Sequence, residues 1–328
     1  MSEFTFLTEE QCYGSDKLNI LEKRGTKAAI SDFSILLGGF FEDSEHIDGN
    51  SSLEGRTGRY WTKSSDEDKN VFTVDEFGVS AIWINALWRD TGSRPALSFS
   101  SIDRIPTNGE RGRRAKDGIL EVEYGYYPQK AVSKNMQIRL EREYASGRIK
   151  KTGNGYTTDS RAYDDYDESF LAQRHAEYEY NGKRYVRVEA NSYYEGTDVT
   201  LSNGEDYREG DNVWVEVLPV KWLVDERAKM MITEKLIFAG VQFDKAGYYR
   251  TSDFDKTNIK QFMDNYFAKE LVQARGLESV DRNGEDSQGV TPRLIPLITL
   301  NYQTYPYGLS VFLNVVILIC FKHGAKVK

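Results

Sequence analysis

The sequence is poor in the residues that metal and redox chemistry draw on most. Of 328 residues only two are cysteines, Cys12 and Cys320, near opposite ends. Neither a disulfide framework nor a cysteine-rich zinc site can be built from them. The three histidines, His46, His175 and His323, lie far apart along the chain, so a histidine metal site or a His-driven catalytic triad is poorly supplied. Basic residues are the minority, 43 against 51 acidic ones for a formal net charge of −8. That balance argues against general nucleic-acid binding, which needs Lys and Arg to displace counterions from phosphates. The start, Met1-Ser2-Glu3-Phe4, has neither the basic region nor the long apolar run of a signal peptide, and the expectation is a cytoplasmic protein. A phosphate loop, a dinucleotide fingerprint and a G-x-S-x-G elbow are all missing. Gly38-Gly39 and Gly153-Asn154-Gly155 are too short for the first two and read as turn glycines. No cofactor is expected.

What is present is aromatic. Hydrophobic residues make up 39% and charged residues 29%, the balance of a globular chain, and 21 Tyr, 16 Phe and 5 Trp suit β-rich cores and binding faces. Thr8-Glu9-Glu10-Gln11 has the spacing of a helix capping box. Leu18, Leu21 and Ala28-Ala29-Ile30 follow as apolar patches on helical spacing. From Arg56 to Ser101 short aromatic and β-branched runs alternate with Gly, Asp and Asn, as strands joined by exposed loops would. Ile119–Tyr124 alternates like a strand, and Met136, Leu140 and Tyr144 predict a helix. Residues 147–169 read as a long polar loop. Tyr178–Tyr180 and Arg184–Val188 flank Asn181-Gly182, the clearest hairpin signal in the chain. Val213–Val224 and Met230–Thr233 give two more strands. Asp255 is the expected cap of a helix whose Ile259, Phe262, Met263, Tyr266, Phe267 and Leu271 share one apolar face.

The predicted organisation is a first unit over 1–102, an exposed connection over 103–118, a second unit over 119–275 with a polar insertion at 147–212, and a linker with an apolar tail over 276–328. The basic cluster Arg111, Arg113, Arg114 and Lys116 reads as solvated linker, since no aromatic residue interleaves it. Leu309–Phe321 would span about 20 Å as a helix, short of a ~30 Å hydrocarbon core. A buried strand or helix is the expectation there; a tail anchor and an altered C-terminus are the alternatives.

Two sets of short motifs resemble a bacterial family of unknown function with the fold of the sulfatase-modifying factors, a variant of the C-type-lectin-like fold. The opening half of that family resembles Gly125-Tyr126-Tyr127-Pro128-Gln129, Pro219-Val220-Lys221-Trp222-Leu223-Val224, Ile232-Thr233-Glu234-Lys235 and the helix from Asn258 to Leu271. Its closing half resembles Phe6-Leu7-Thr8-Glu9-Glu10, Tyr60-Trp61-Thr62-Lys63-Ser64, Glu76-Phe77-Gly78 and Gly92-Ser93-Arg94-Pro95-Ala96-Leu97. Here the closing half comes first. The resemblance therefore implies an α+β, C-type-lectin-like domain in circularly permuted order, and two partial domains would give the same pattern. Cys12 and Cys320 do not sit in the motifs of the cysteine-oxidising members, so that activity does not carry over.

For function, Asp66, Asp68 and Asn70 start like a calcium loop, but Val71 and Phe77 stand where it needs Gly and Glu. Asp164, Asp165, Asp167 and Glu168 read as a solvated acidic loop. The segment Tyr60–Arg94 is the most suggestive, because Trp, Tyr and Arg dominate interface energetics and the resemblance makes this closing segment a ligand face. The candidate binding residues are Tyr60, Trp83, Asn85, Trp88 and Arg89; Trp61 is expected in the core and Arg94 in a structural ion pair. The leading expectation is a non-catalytic module that binds a protein or small ligand, not nucleic acid or membrane. The rivals are a carboxylate-dependent enzyme with a cleft between the halves, and a regulatory subunit that docks through its tail.

Overall fold

A computed structural model describes residues 4–41, 56–68, 70–84, 86, 88–110, 112–158, 172–191, 199–244 and 253–273. All of them belong to one compact unit, Met1–Gly284. In chain order the first elements are β1 (Phe4–Thr5), α1 (Glu9–Tyr13), α2 (Asn19–Arg24), β2 (Ala29–Ile30), α3 (Asp32–Leu36), β3 (Tyr60–Ser65), β4 (Val71–Val74), β5 (Ser80–Ile84) and β6 (Ala96–Ser98). After them come β7 (Arg113–Arg114), β8 (Leu120–Ala131), α4 (Lys134–Ala145), β9 (Lys150–Thr158), β10 (Ala172–Tyr180), β11 (Lys183–Glu189), β12 (Val199–Thr200) and β13 (Asp206–Tyr207). β14 (Asn212–Asp225), β15 (Met230–Thr233), β16 (Lys235–Leu236), α5 (Asn258–Phe262) and α6 (Ala268–Gln273) complete the series. The protein is α+β, rich in sheet.

β14 is the axis of the fold. One of its edges pairs with β8 over Val215–Val224; the other pairs with β11 at one end and β15 at the other. β15 hands on to β6, and β6 to β1, so strands from both ends of the described chain share one nine-stranded sheet. Proline interrupts both central strands, at Pro128 and Pro219, where the β8–β14 register shifts. The Gln129 side-chain amide donates to the carbonyls of Leu218 and Pro219, both at 2.9 Å, and satisfies acceptors that the irregular ladder leaves over.

Alternation along β14 sorts the core. Val213, Val215, Val220 and Trp222 join the main cluster, while Trp214 faces the other way, into a smaller cluster with Leu140 of α4, Val132, Ile149 and Tyr185. A π-turn over Met263–Phe267 joins α5 to α6. Phe262, Met263, Phe267 and Leu271 are fully buried, as the aromatic stripe predicts. Gly125, at φ 73°, lets α6 lie against β8, because a Cβ there would collide with Leu271.

Local expectations meet mixed outcomes. The capping box is complete: Thr8 Oγ1 accepts from Gln11 N at 3.1 Å, and Gln11 Oε1 from Thr8 N at 2.9 Å. The β10–β11 hairpin turns at Asn181 and Gly182, both with positive φ. Ala29–Ile30 is a short strand beside β16, not part of a helix. The expected loop over 147–169 contains β9, and Gly153 and Gly155 are strand residues facing Glu177 and His175 rather than turn glycines. Asp253 caps a short 3-10 turn and Thr257 caps α5, so Asp255 does neither. Within 103–118, Ile105 and Thr107 are buried and β7 extends the edge of β8. The acidic residues 164–168 and the apolar run 309–321 lie outside the described residues.

Candidate functional site

The Tyr60–Arg94 segment contains the small sheet β3–β4–β5, and Gly92 lies beside Tyr60 in a parallel bridge. The turn between β4 and β5 is built by Asp75, whose carboxylate accepts from Phe77 N at 3.0 Å and Val79 N at 2.7 Å. The Gly78 carbonyl accepts from Tyr13 Oη at 2.9 Å and Thr26 Oγ1 at 2.5 Å, which ties the turn to the first helices. The tip so held exposes Phe77 by 52% and Val79 by 58%, an unusual pair of apolar side chains to leave in water.

Beside this turn, one guanidinium gathers three segments. Arg59 lies 4.8 Å over the Phe40 ring, 3.6 Å from Glu76 Oε2 and 3.9 Å from Asp90 Oδ2. Phe40 N donates to the Asp90 carbonyl at 2.6 Å, so residues 88–90 are bound to the same corner. Arg56 repeats the arrangement, its guanidinium 4.8 Å over Phe41 while donating to the Thr200 carbonyl. The ion pairs of Arg59 are longer than hydrogen bonds, and its Nε and Glu76 Oε2 have no hydrogen-bond partner among the described residues. Both atoms are buried, so the corner is a desolvated charge cluster beside the Phe40 ring.

The five candidate binding residues fare differently here. Tyr60 is 1% exposed. Its hydroxyl donates to the Thr26 carbonyl at 2.8 Å and accepts from Arg94 at 3.4 Å, and burial pushes its phenol well above the usual tyrosine range. Tyr60 is therefore a core residue and not part of an exposed face. Trp88 is half-buried against the core, and Arg89 is half-buried with its carbonyl accepting from Gly240 N at 2.8 Å. Trp83 belongs to β5, but its side chain, like all of Asn85, lies outside the described residues. Trp61 is in the core, as expected. Arg94 is structural through carbonyls rather than an ion pair: its Nε donates to Thr233 at 3.0 Å and its Nη1 to Thr26 at 3.5 Å. Phe40 and Arg59, which were not among the candidates, complete the corner with Glu76 and Asp90 of the Tyr60–Arg94 segment; the aromatic-plus-charged composition of that segment was a signal for the last two, and nothing in the sequence pointed to Phe40.

A second polar centre lies in the core. His175 Nε2 of β10 is 3.1 Å from Glu270 Oε1 of α6, with both side chains buried. The Phe33 and His175 rings meet edge to face, as do those of Tyr127 and Phe267. The Tyr127 hydroxyl is fully buried without a hydrogen-bond partner among the described residues, and burial, then the charge of Glu270, pushes its phenol well above the usual range. This centre joins α6 to the sheet.

Among the described residues, no group of three or more His, Cys, Asp or Glu can hold a metal ion. The Asp66 carboxylate is spent on Asn70, accepting from its N at 2.8 Å and its Nδ2 at 2.9 Å, and closes the β3–β4 turn. Nor is any described helix long and apolar enough to cross a membrane. Comparison with protein-family models, with curated proteins and with solved structures gave no match.

Proposed function

We propose that the protein is a non-catalytic binding module of the cytoplasm, which recognises a protein or small ligand through the Tyr60–Arg94 segment and the corner around Arg59. The scaffold we assign to it is a permuted C-type-lectin-like domain of the sulfatase-modifying-factor kind. Pairing of β6, from the closing-half motifs, with β15, from the opening-half motifs, supports that assignment. The observation that carries the functional reading is the convergence of Phe40, Glu76 and Asp90 on the Arg59 guanidinium, with exposed Phe77 next to Glu76 in the chain and half-buried Trp88 two residues before Asp90. A rigid ring beside partly desolvated charge is the composition of interface hot spots.

The test is a screen of the full chain on peptide and glycan arrays, repeated with Phe77→Ser and Trp88→Ala. Both substitutions are expected to weaken the ligands found by more than about tenfold, in keeping with a hot-spot residue. Lys151→Glu, on β9, is expected to leave them unchanged. Array ligands that bind both corner variants as tightly as the parent chain would overturn the reading.

A further inference from the structure

One stretch of the chain, built around α4, carries charge opposite to the whole. Residues 130–151 hold seven Lys and Arg against two acidic residues, in a chain of net charge −8. The fold then sets tyrosines among those cations. Tyr144, near the end of α4, meets Tyr178 of β10 edge to face at 5.6 Å and Trp214 at 5.8 Å. The Arg187 guanidinium lies 4.8 Å over Tyr144, held by Glu141 at 2.8 Å and 3.0 Å. Lys151 is the cross-strand neighbour of Tyr178, and Lys183 that of Tyr180, so these side chains share a face of the sheet.

The positive charge there is only partly neutralised. Arg142 and Arg148, with side chains 69% and 59% exposed, draw on the single carboxylate of Glu143, at 3.6 Å and 2.8 Å. Lys150 and Lys151 are exposed and make no ion pair among the described residues. Tyr144 is 38% exposed, Tyr178 is half-buried at its side, and Tyr180, two residues along the same strand, is half-buried as well.

We infer that this face binds single-stranded nucleic acid. Phosphates are held by Arg142, Arg148 and Lys151, and bases stack along the tyrosine edge. Aromatic rings interleaved with cations form a stacking platform with an electrostatic track. A membrane surface would instead call for a continuous apolar stripe, and the exposed large apolar side chains of α4 are only Ile138 and Tyr144. The whole-chain charge argues against nucleic acid only if charge is spread evenly, which here it is not. Interleaving is also what the basic cluster near Arg113 lacks. On this face it arises from residues 144, 148, 151, 178 and 180, which come together only in the folded chain.

Fluorescence anisotropy with a labelled oligo(dT) of about 20 nucleotides, longer than the footprint of a single platform, tests this on the full chain. Binding is expected at low salt and should fall as salt rises, with a slope of about −2 in log K against log salt for three phosphate contacts. The surface variant R148E/K151E should bind more than about tenfold more weakly and lose most of that slope, while Arg113→Glu, on the β7 edge, should change nothing. Tyr144→Leu should weaken binding yet keep the slope, because stacking releases no counterions. Circular-dichroism melts confirm that each variant is folded. The inference is overturned if the parent chain shows no salt-dependent binding, or if folded R148E/K151E binds as the parent does. It is overturned equally if phosphatidylserine vesicles, and not the oligonucleotide, retain the chain in a way that R148E/K151E abolishes.

Discussion

At the scale of single residues, burial decides which side chains remain available for chemistry. Cys12 is a buried free thiol, and burial pushes its pKa up to about 12. Since the thiolate is the nucleophile, Cys12 in the native chain should resist a thiol reagent at pH 8 and react once the chain is unfolded in urea; a count of labelled thiols checks this. Tyr60 makes the same point for binding. With its hydroxyl engaged inside the core, Tyr60→Phe should cost about 1 kcal/mol in urea unfolding and leave ligand binding at the Arg59 corner unchanged. The sequence showed Tyr60 as one aromatic residue among several in a promising segment. It did not show that the ring sits on the inner side of β3, because β3 is short and its partners, Thr26 and Arg94, come from other elements.

At the scale of elements, a few cross-links fix how helices meet the sheet. The hydrogen bond from Arg24 of α2 to Asp117, before β8, holds the Asp117 carboxyl at about 2. Burial pushes Glu121 up, yet the hydrogen bonds from Arg24 and Lys221 outweigh it and keep this carboxyl below its ordinary value. A lowered folded pKa stabilises above the unfolded value, near 4, and this contribution fades as pH falls towards 2. Asp117→Asn should therefore be less stable than the parent at pH 7, with the gap closing as acid titrates the parent; urea midpoints measured across pH check it. At the other end, Glu270→Ala leaves His175 and Tyr127 facing an apolar core. It should destabilise the chain by about 2 kcal/mol in urea unfolding, the order of cost for leaving a buried polar group without its neighbour.

Legibility also followed element type. The capping box, the Asn181-Gly182 hairpin and the aromatic stripe of 259–271 were readable because each is written in contiguous residues with a fixed period or turn chemistry. β9 was not: its Gly153-Asn154-Gly155 lacks strand propensity, and it is a strand because it pairs with β10. The composition of Tyr60–Arg94 pointed to the Arg59 corner only in part, and the tyrosine–arginine face was invisible, because each is assembled from segments far apart in sequence.

At the scale of the molecule, the main result is that strands from residues 4–98 and from 120–233 build one sheet, with β6 and β15 as the joint. That joint places the corner proposed for recognition and the α4 face on one scaffold, and it makes residues 103–118 a crossing within a unit rather than a boundary between two. The most direct measurement is a light tryptic nick of the full chain near Arg111, followed by native size-exclusion chromatography. The account predicts that the two fragments co-elute and part only in denaturant, because their strands remain paired. Fragments that separate under native conditions, each still folded, would contradict it.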